Sequence, residues 1–337
     1  MTRTWHLIVA GWLACFAVGF APSVQAQTAA MPLAQARDLL ARIQDAAKRH
    51  SFKGSFVVSA GGRVSGSRVT HYCEGDQQYE RIDSLDGEPR HVLRHNDWIH
   101  TVWPANRTAL VERRAAVTAF PSLLQGDGGD VAAHYGLHTA GVDRVAGLEA
   151  QVLRLQPLDP YRYGLRLWTE KATGLLLRAE VLGAGDEVLE TAAFTELTLD
   201  AKTKPREIQQ AIKALDGYRV VRAPSQATRL EDEGWSLRIS IPGFRQVSCI
   251  KRPRDLSVPA ADGAAAQMIQ SVWSDGLATV SVFIEPFDAD RHRRELQTTL
   301  GATHTLMHRV GTWWVTVMGD VPPVTLKQFA HSLERVR

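Results

Sequence analysis

The chain has 337 residues, 45% of them hydrophobic, with 39 Lys and Arg against 36 Asp and Glu. That near balance excludes a generally basic, nucleic-acid-like surface, and the length exceeds one typical core and suits two domains.

At the N-terminus, Arg3 gives a short positive start, and Leu7 to Phe20 is almost wholly apolar. Val24-Gln25-Ala26 then supplies small residues at the usual cleavage positions. Together these predict a secretory signal peptide over 1–26, cut after Ala26. The apolar run is shorter than the roughly 18–20 residues that span a bilayer. Trp12-Leu13-Ala14 is a poor lipobox for Cys15. Removing the signal takes away only Arg3 among the charged residues, leaving 38 basic against 36 acidic. It also leaves two cysteines, Cys73 and Cys249. In an oxidising compartment they either pair, clamping one domain to the other, or stay as buried free thiols.

A helix is expected at Pro32 to His50, where Leu33, Ala36, Leu39, Leu40, Ile43 and Ala47 mark one apolar face. From Phe52 to about Leu199 the pattern is strand after strand: Ser55–Ser59, Val69–Cys73, Gln78–Asp83, His91–Arg94, Trp98–Trp103, Thr108–Arg113, Gln151–Gln156, Gly164–Thr169 and Leu175–Leu182. Short strands at regular spacing predict a large antiparallel sheet or barrel. In the hairpin around Lys171–Gly174, Leu165, Leu167 and Thr169 point one way, and Arg166 and Trp168 the other.

Residues 201–222 change character, with Lys202, Lys204, Arg206 and Lys213, a short helix opened by Pro205, and Gly217 placed to close it. The interdomain linker is placed there, between a first domain at 27–200 and a second at 223–337. The second domain opens on alternation at Trp235, Leu237, Ile239 and Ile241, and continues with strands at 278–284 and Trp313–Met318. A last helix is expected, capped by Thr325, with Leu326, Phe329, Leu333 and Val336 facing inward.

Reactive constellations are hard to find. His91, His95 and His100 are four and five apart, which in strands argues against one shared face and so against a metal site. His304 and His308 lack a His-Glu-x-x-His string. Gly62-Arg63-Val64-Ser65-Gly66 has the wrong spacing for a nucleophile elbow, and Gly183-Ala184-Gly185 fails as a dinucleotide fingerprint. No catalytic residue, metal or cofactor is therefore assigned, and the expectation is a protein that binds rather than catalyses.

Two features could carry binding. Aromatic residues in the first domain either form an ordinary core or line a pocket for acyl chains, for which Phe56, Trp98 and Trp103 are nominated. Arg113 and Arg114 are either solvated charge or contacts for phosphates or acidic groups.

Several stretches are worded unusually: Asp159-Pro160-Tyr161-Arg162-Tyr163-Gly164-Leu165-Arg166-Leu167-Trp168, Ile241-Pro242-Gly243-Phe244, Ser274-Asp275-Gly276-Leu277-Ala278-Thr279-Val280-Ser281-Val282-Phe283-Ile284-Glu285, and Gly319-Asp320-Val321-Pro322-Pro323-Val324-Thr325. Phe52–Phe56 and Thr173–Arg178 add to them. In this order they resemble the MucB/RseB family, periplasmic regulators of the envelope-stress sigma factor, over essentially the whole mature chain. Asp320 departs from an expected glutamate, a conservative change. The resemblance implies an α+β, mostly β fold: an N-terminal unclosed antiparallel β-barrel with helical cover, like the lipoprotein carriers, and a smaller C-terminal α+β domain. It implies a periplasmic location and binding to the periplasmic domain of a membrane-bound anti-sigma factor, which is thereby shielded from proteolysis. Lipopolysaccharide or lipoprotein acyl chains would be the releasing signal. The alternative is a periplasmic lipid or lipoprotein carrier. No nucleic-acid partner is implied, and a homo-oligomer stays open.

Overall fold

A computed structural model describes residues 30–113, 120, 129–202, 204–222, 224–238, 241–254 and 267–336. The expected signal peptide and Arg114 lie outside the described residues.

The first domain begins with α1 (Leu33–Arg49), which buries Ala36, Leu40, Ile43, Ala46 and Ala47 along one face, as its apolar spacing requires. Then follow β1 (Phe52–Ala60), β2 (Arg63–Glu74), β3 (Gln77–Ser84), β4 (His91–His95), β5 (Trp98–Trp103) and β6 (Thr108–Arg113). After α2 (Gly129–His134) come β7 (Tyr135–Val145), β8 (Leu148–Pro157), β9 (Gly164–Glu170), β10 (Leu176–Leu182) and β11 (Val188–Leu199). The two meanders join where β1 pairs with β11, and with β12 (Arg219–Arg222) the resulting sheet has the order β12-β6-β5-β4-β3-β2-β1-β11-β10-β9-β8-β7. Its outermost strands do not pair with each other, so the barrel is unclosed.

The sheet has two covered faces. On the inner face, α1 and α2 pack over Phe52, Phe56, Val69, Leu153, Leu155, Leu165, Leu167 and Phe194. On the outer face, α3 (Pro205–Lys213) sets Ile208 against Tyr72 and Tyr79, and Ala211 and Ile212 against Leu93, Val102 and Ala109. Residues 201–222, the expected linker, thus carry a helix that covers the outer face. They also carry β12 (Arg219–Arg222), which pairs in parallel with β6. β7 escaped the sequence reading because its residues 139–144 are all exposed and show no alternation.

Gly54 lies in β1 opposite Leu197 of β11, next to a bulge at Ser55/Phe56. A Cβ there would stand 2.2 Å from the Glu196 carbonyl oxygen, which is backbone and cannot swing aside. Gly54→Ala is expected to cost about 1–3 kcal/mol, by analogy with overpacked cores. A shift of the urea midpoint with an unchanged slope would show it.

The second domain is a seven-stranded antiparallel sheet. Its strands are β13 (Gln226–Ala227), β15 (Arg245–Pro253), β16 (Gln267–Ser274), β17 (Thr279–Pro286), β18 (Leu296–Leu300), β19 (Thr303–Val310) and β20 (Trp313–Gly319), in the order β13-β15-β16-β17-β20-β19-β18. Val280, Val282 and Ile284 of β17 pack with Val315 and Val317 of β20 beneath Leu326 and Phe329 of α4 (Pro323–Ser332). A two-stranded ribbon, β14 (Trp235–Leu237) with β21 (Leu333–Arg335), closes the side of this core. Leu333 therefore belongs to a strand, one residue beyond the helix expected to contain it. Thr325 is not the cap of α4, which starts after Pro322; it lies within the first turn, and its hydroxyl is used elsewhere.

Candidate functional site

The unusual stretches of sequence meet in space, at the joint between the two domains. The loop between β8 and β9 projects Tyr161, Arg162 and Tyr163 towards the second domain. The Arg162 side chain is fully buried. Its Nη1 donates to Asp275 Oδ2 at 2.8 Å, its Nη2 to the Pro242 carbonyl at 2.6 Å, and its Nε to Asp159 Oδ1 at 3.0 Å. The guanidinium also lies over the rings of Tyr135, at 5.7 Å, and Phe244, at 5.6 Å. A planar fork of donors with delocalised charge suits this mixture of carboxylates, carbonyl and aromatic faces better than an ammonium would.

Asp275 is held ready for this contact by its own turn. Its Oδ1 accepts the backbone N–H groups of Leu277 and Ala278 at 2.9 and 2.8 Å. The Ser274 hydroxyl accepts the Gly276 N–H and donates to the Ala278 carbonyl. Burial pushes the Asp275 carboxyl upward, while the two N–H bonds and the Arg162 charge pull it back. We take the fully buried 2.8 Å pair with Arg162 as the sign that it is ionised. Gly243 completes the joint: with φ at +81° and a would-be Cβ 2.5 Å from His134 Nε2 and 3.1 Å from Arg162 Nη1, no larger residue fits.

Further bonds tie the same loop to the second domain. The Thr325 hydroxyl donates to the Tyr161 carbonyl at 2.7 Å, and Gln328 Nε2 to the Tyr161 hydroxyl at 3.1 Å. Tyr163 Oη lies 2.8 Å from His304 Nε2, whose other nitrogen meets the Thr299 hydroxyl. Beside them, between the domains, lies a cleft of about 530 Å³ walled by Leu155, Tyr163, Leu182, Thr299, His304 and Pro322, among others.

The nominated residues fall apart into two groups. Phe56 is on the inner face, packed against Phe120 and Phe194 with ring centroids 5.4 and 6.1 Å away. Trp103 shares that face by strand register. Trp98 is five residues earlier in the same strand, so it points to the outer face, where it is half exposed in a groove of about 540 Å³ beside Ile212, Leu215 and Arg222. Arg113 sits directly across from Trp98 and pairs loosely with Asp97 at 3.5 Å. Cys73 and Cys249 are both free thiols, in different sheets, so the two are not bridged in this structure.

The histidine argument also needs correcting. Because a hairpin turn separates His95 from His100, the register places His91, His95 and His100 all on the outer face. Even so, no group of three or more His, Cys, Asp or Glu among the described residues is arranged to hold a metal. The sequence alone does not reveal a buried ionisable cluster across β2 and β3. Cys73 Sγ stands 3.3 Å from His71 Nε2, and His71 Nδ1 stands 3.2 Å from Glu80 Oε2. Alternation along β2 could have signalled the first contact; the second needs the β2–β3 register.

The sequence profile of the MucB/RseB N-terminal domain matches residues 35–212, and that of the MucB/RseB C-terminal domain matches 229–334. The sigma factor AlgU regulatory protein MucB of Pseudomonas aeruginosa is 30% identical over 304 residues, covering 89% of this chain and 91% of its own length. The sigma-E factor regulatory protein RseB of Escherichia coli K12 is 22% identical, covering 96% of this chain and 97% of its own. Among solved structures, MucB in complex with MucA(peri) aligns with a TM-score of 0.65 and 28% identity, over 90% of this chain and 99% of that one. The Pseudomonas aeruginosa MucA/MucB complex aligns with a TM-score of 0.67 and 27% identity, with the same coverage.

Proposed function

The chain belongs to the MucB/RseB family, and from that footing we propose that it is an exported, non-enzymatic regulator of an extracytoplasmic-stress sigma factor. It reaches the periplasm with its signal peptide cut after Ala26. There it binds the periplasmic domain of a membrane-bound anti-sigma factor, shields that domain from proteolysis, and lets go when lipid or lipopolysaccharide-type signals arrive. The observation that carries this reading is whole-length similarity to a protein solved with the periplasmic part of MucA. The joint around Arg162 supports it, because the stretches that resemble the family are the ones that hold the two domains in one arrangement.

Two sites linked through one domain arrangement are coupled reciprocally: a signal that favours another arrangement weakens partner binding, and the partner weakens signal binding by the same factor. The apolar site is proposed on the inner face near Phe56 and Trp103. Arg113 with Arg114 is proposed as a separate contact for acidic groups, and Trp98, on the outer face, stands apart from the apolar site.

The test is a pull-down of the partner's periplasmic domain on the mature chain, followed by timed proteolysis of that domain. Association at micromolar concentration and slowed cleavage are expected. No association at that concentration defeats the reading. Transfer of acylated cargo by residues 27–222 alone would favour the carrier alternative.

A further inference from the structure

The second domain ends on an edge that the regulatory reading does not use. β18 is the last strand of its sheet, and all its residues, Leu296-Gln297-Thr298-Thr299-Leu300, are exposed. An outer strand is normally protected from pairing with another chain by a charge, a proline, a bulge or extreme shortness. The other outer strands of the two large sheets have such protection: β7 is bulged at Thr139/Gly141, β12 carries an arginine at each end, and β13 has two residues. β18 has none, since its register with β19 is unbroken and it holds no charged residue or proline. The turn Gly301-Ala302 joins it to β19, so Leu296, Thr298 and Leu300 exchange bonds with β19, while the N–H and C=O groups of Gln297 and Thr299 point to the free side.

The flanks of this edge are opposite in charge. Arg293 and Arg294, just before the strand, are exposed and have no ion pair among the described residues. Glu295, next to them, is taken up by the Arg309 N–H. Just after the strand, two carboxylates gather at the turn. Glu190 accepts the Ala302 N–H and is pushed up by burial and by the charge of Asp320, and Asp320 accepts the Thr303 hydroxyl.

We propose that β18 is an interaction surface for a second copy of this chain, the two strands pairing antiparallel about a two-fold axis at Thr298. The strand is self-complementary in that register. Leu296 comes opposite Leu300 at each end, and Gln297 comes opposite Thr299, so that the free backbone groups of both face each other. Carried outward by the same count, Arg294 of one copy stands opposite Ala302 of the other, and Arg293 opposite Thr303, the two residues bonded to Glu190 and Asp320. The axis supplies this charge contact twice. Leu300 of the second copy extends the row of Leu296 and Met307, beside a groove of about 400 Å³. A five-residue edge is small against the roughly 1,200–2,000 Å² of a stable complex, so the association is weak, and its exposed charges make it fall with salt.

Cysteine substitution reads the register. In the mature chain, Thr298→Cys sets two thiols across the axis with Cα atoms about 4.5 Å apart, the spacing of a non-hydrogen-bonded pair and within disulfide range. Gln297→Cys, also exposed, faces Thr299 of the other copy instead. Under mild oxidation at micromolar concentration, Thr298→Cys is expected to form a disulfide-linked dimer at least tenfold faster than Gln297→Cys, with the unsubstituted chain as background. Charge reversal reads the flanks. Arg293→Glu with Arg294→Glu, and separately Asp320→Lys, change exposed residues and should each weaken association in sedimentation velocity at low salt. An equimolar mixture of the two variants should restore it, because both flank contacts are then between opposite charges. Equal crosslinking rates, or a mixture that associates no better than its components, overturn the proposal.

Discussion

Replacing Arg162 by methionine is expected to destabilise the protein by about 3–5 kcal/mol, the usual cost of removing one partner from a buried ion pair. The volume is nearly kept, so the loss comes from charge and hydrogen bonding. Asp275 would be left buried opposite a thioether, and the Pro242 carbonyl would lose its donor. The double variant Arg162→Met with Asp275→Asn should recover part of the loss, because the uncompensated carboxylate is gone. Urea unfolding followed by tryptophan fluorescence measures all three proteins. Because the site joins two domains, the single variant should also separate what is one transition into two. A loss below about 1 kcal/mol, with a single transition, would show that the joint does not hold the domains together.

The second large effect is on pH dependence. His71 is raised from 6.5 to about 9 in the folded chain, and Glu80, buried beside it, is lowered: burial opposes its charge, but the bond to His71 and the charges of His71 and Arg94 outweigh burial. For the histidine, a raised value means a contribution that is fully present below pH 6.5 and lost as pH rises through about 9. For the glutamate, a lowered value means a contribution present above its ordinary value of 4.5 and lost as pH falls through its lower folded value. The pair therefore supports the fold across the neutral range and fails at both ends. On the alkaline side the shift corresponds to about 3 kcal/mol. Urea midpoints at pH 6.5 and 9.5 should show that loss in the wild type and not in His71→Gln. Equal loss in both would assign it to other groups.

The first helix and most strands were legible because they follow simple periods: 36, 40, 43 and 47 along α1, and alternation along the strands. The hairpin from β9 to β10 keeps Leu165 and Leu167 inward and Trp168 outward, as its spacing demands. Grouping Trp98 with Trp103 failed for the same reason that the hairpin succeeded: a five-residue separation within one strand means opposite faces. The histidines erred in reverse, because alternation was carried across a turn, where it does not apply.

The joint was legible only in pieces. Arg162 and Asp275 lie 113 residues apart, and nothing local in either stretch says that they meet. Each stretch is unusual in wording, yet by its alternation the strand after Asp275 reads as packing alone. Its turn is in fact the receptor for Arg162. The Cys73–His71–Glu80 cluster is hidden for a related reason: His71 and Glu80 face each other only through the register of β2 with β3.

The unclosed sheet has a mechanical consequence. The chain leaves it at β12, on one margin, and enters the second domain only a few residues later. The second domain then grips the loop between β8 and β9, next to the opposite margin. The molecule is thus a bracelet whose two ends are fastened by a clasp, covalent on one side and held by Arg162 on the other. The turn between β18 and β19 adds a third hold in the middle of the hoop, where Gly301 lies against Ala60 of β1 and the Leu189 carbonyl of β11. A load that forces the sheet wider is therefore shared between that central contact and the salt bridge at the margin.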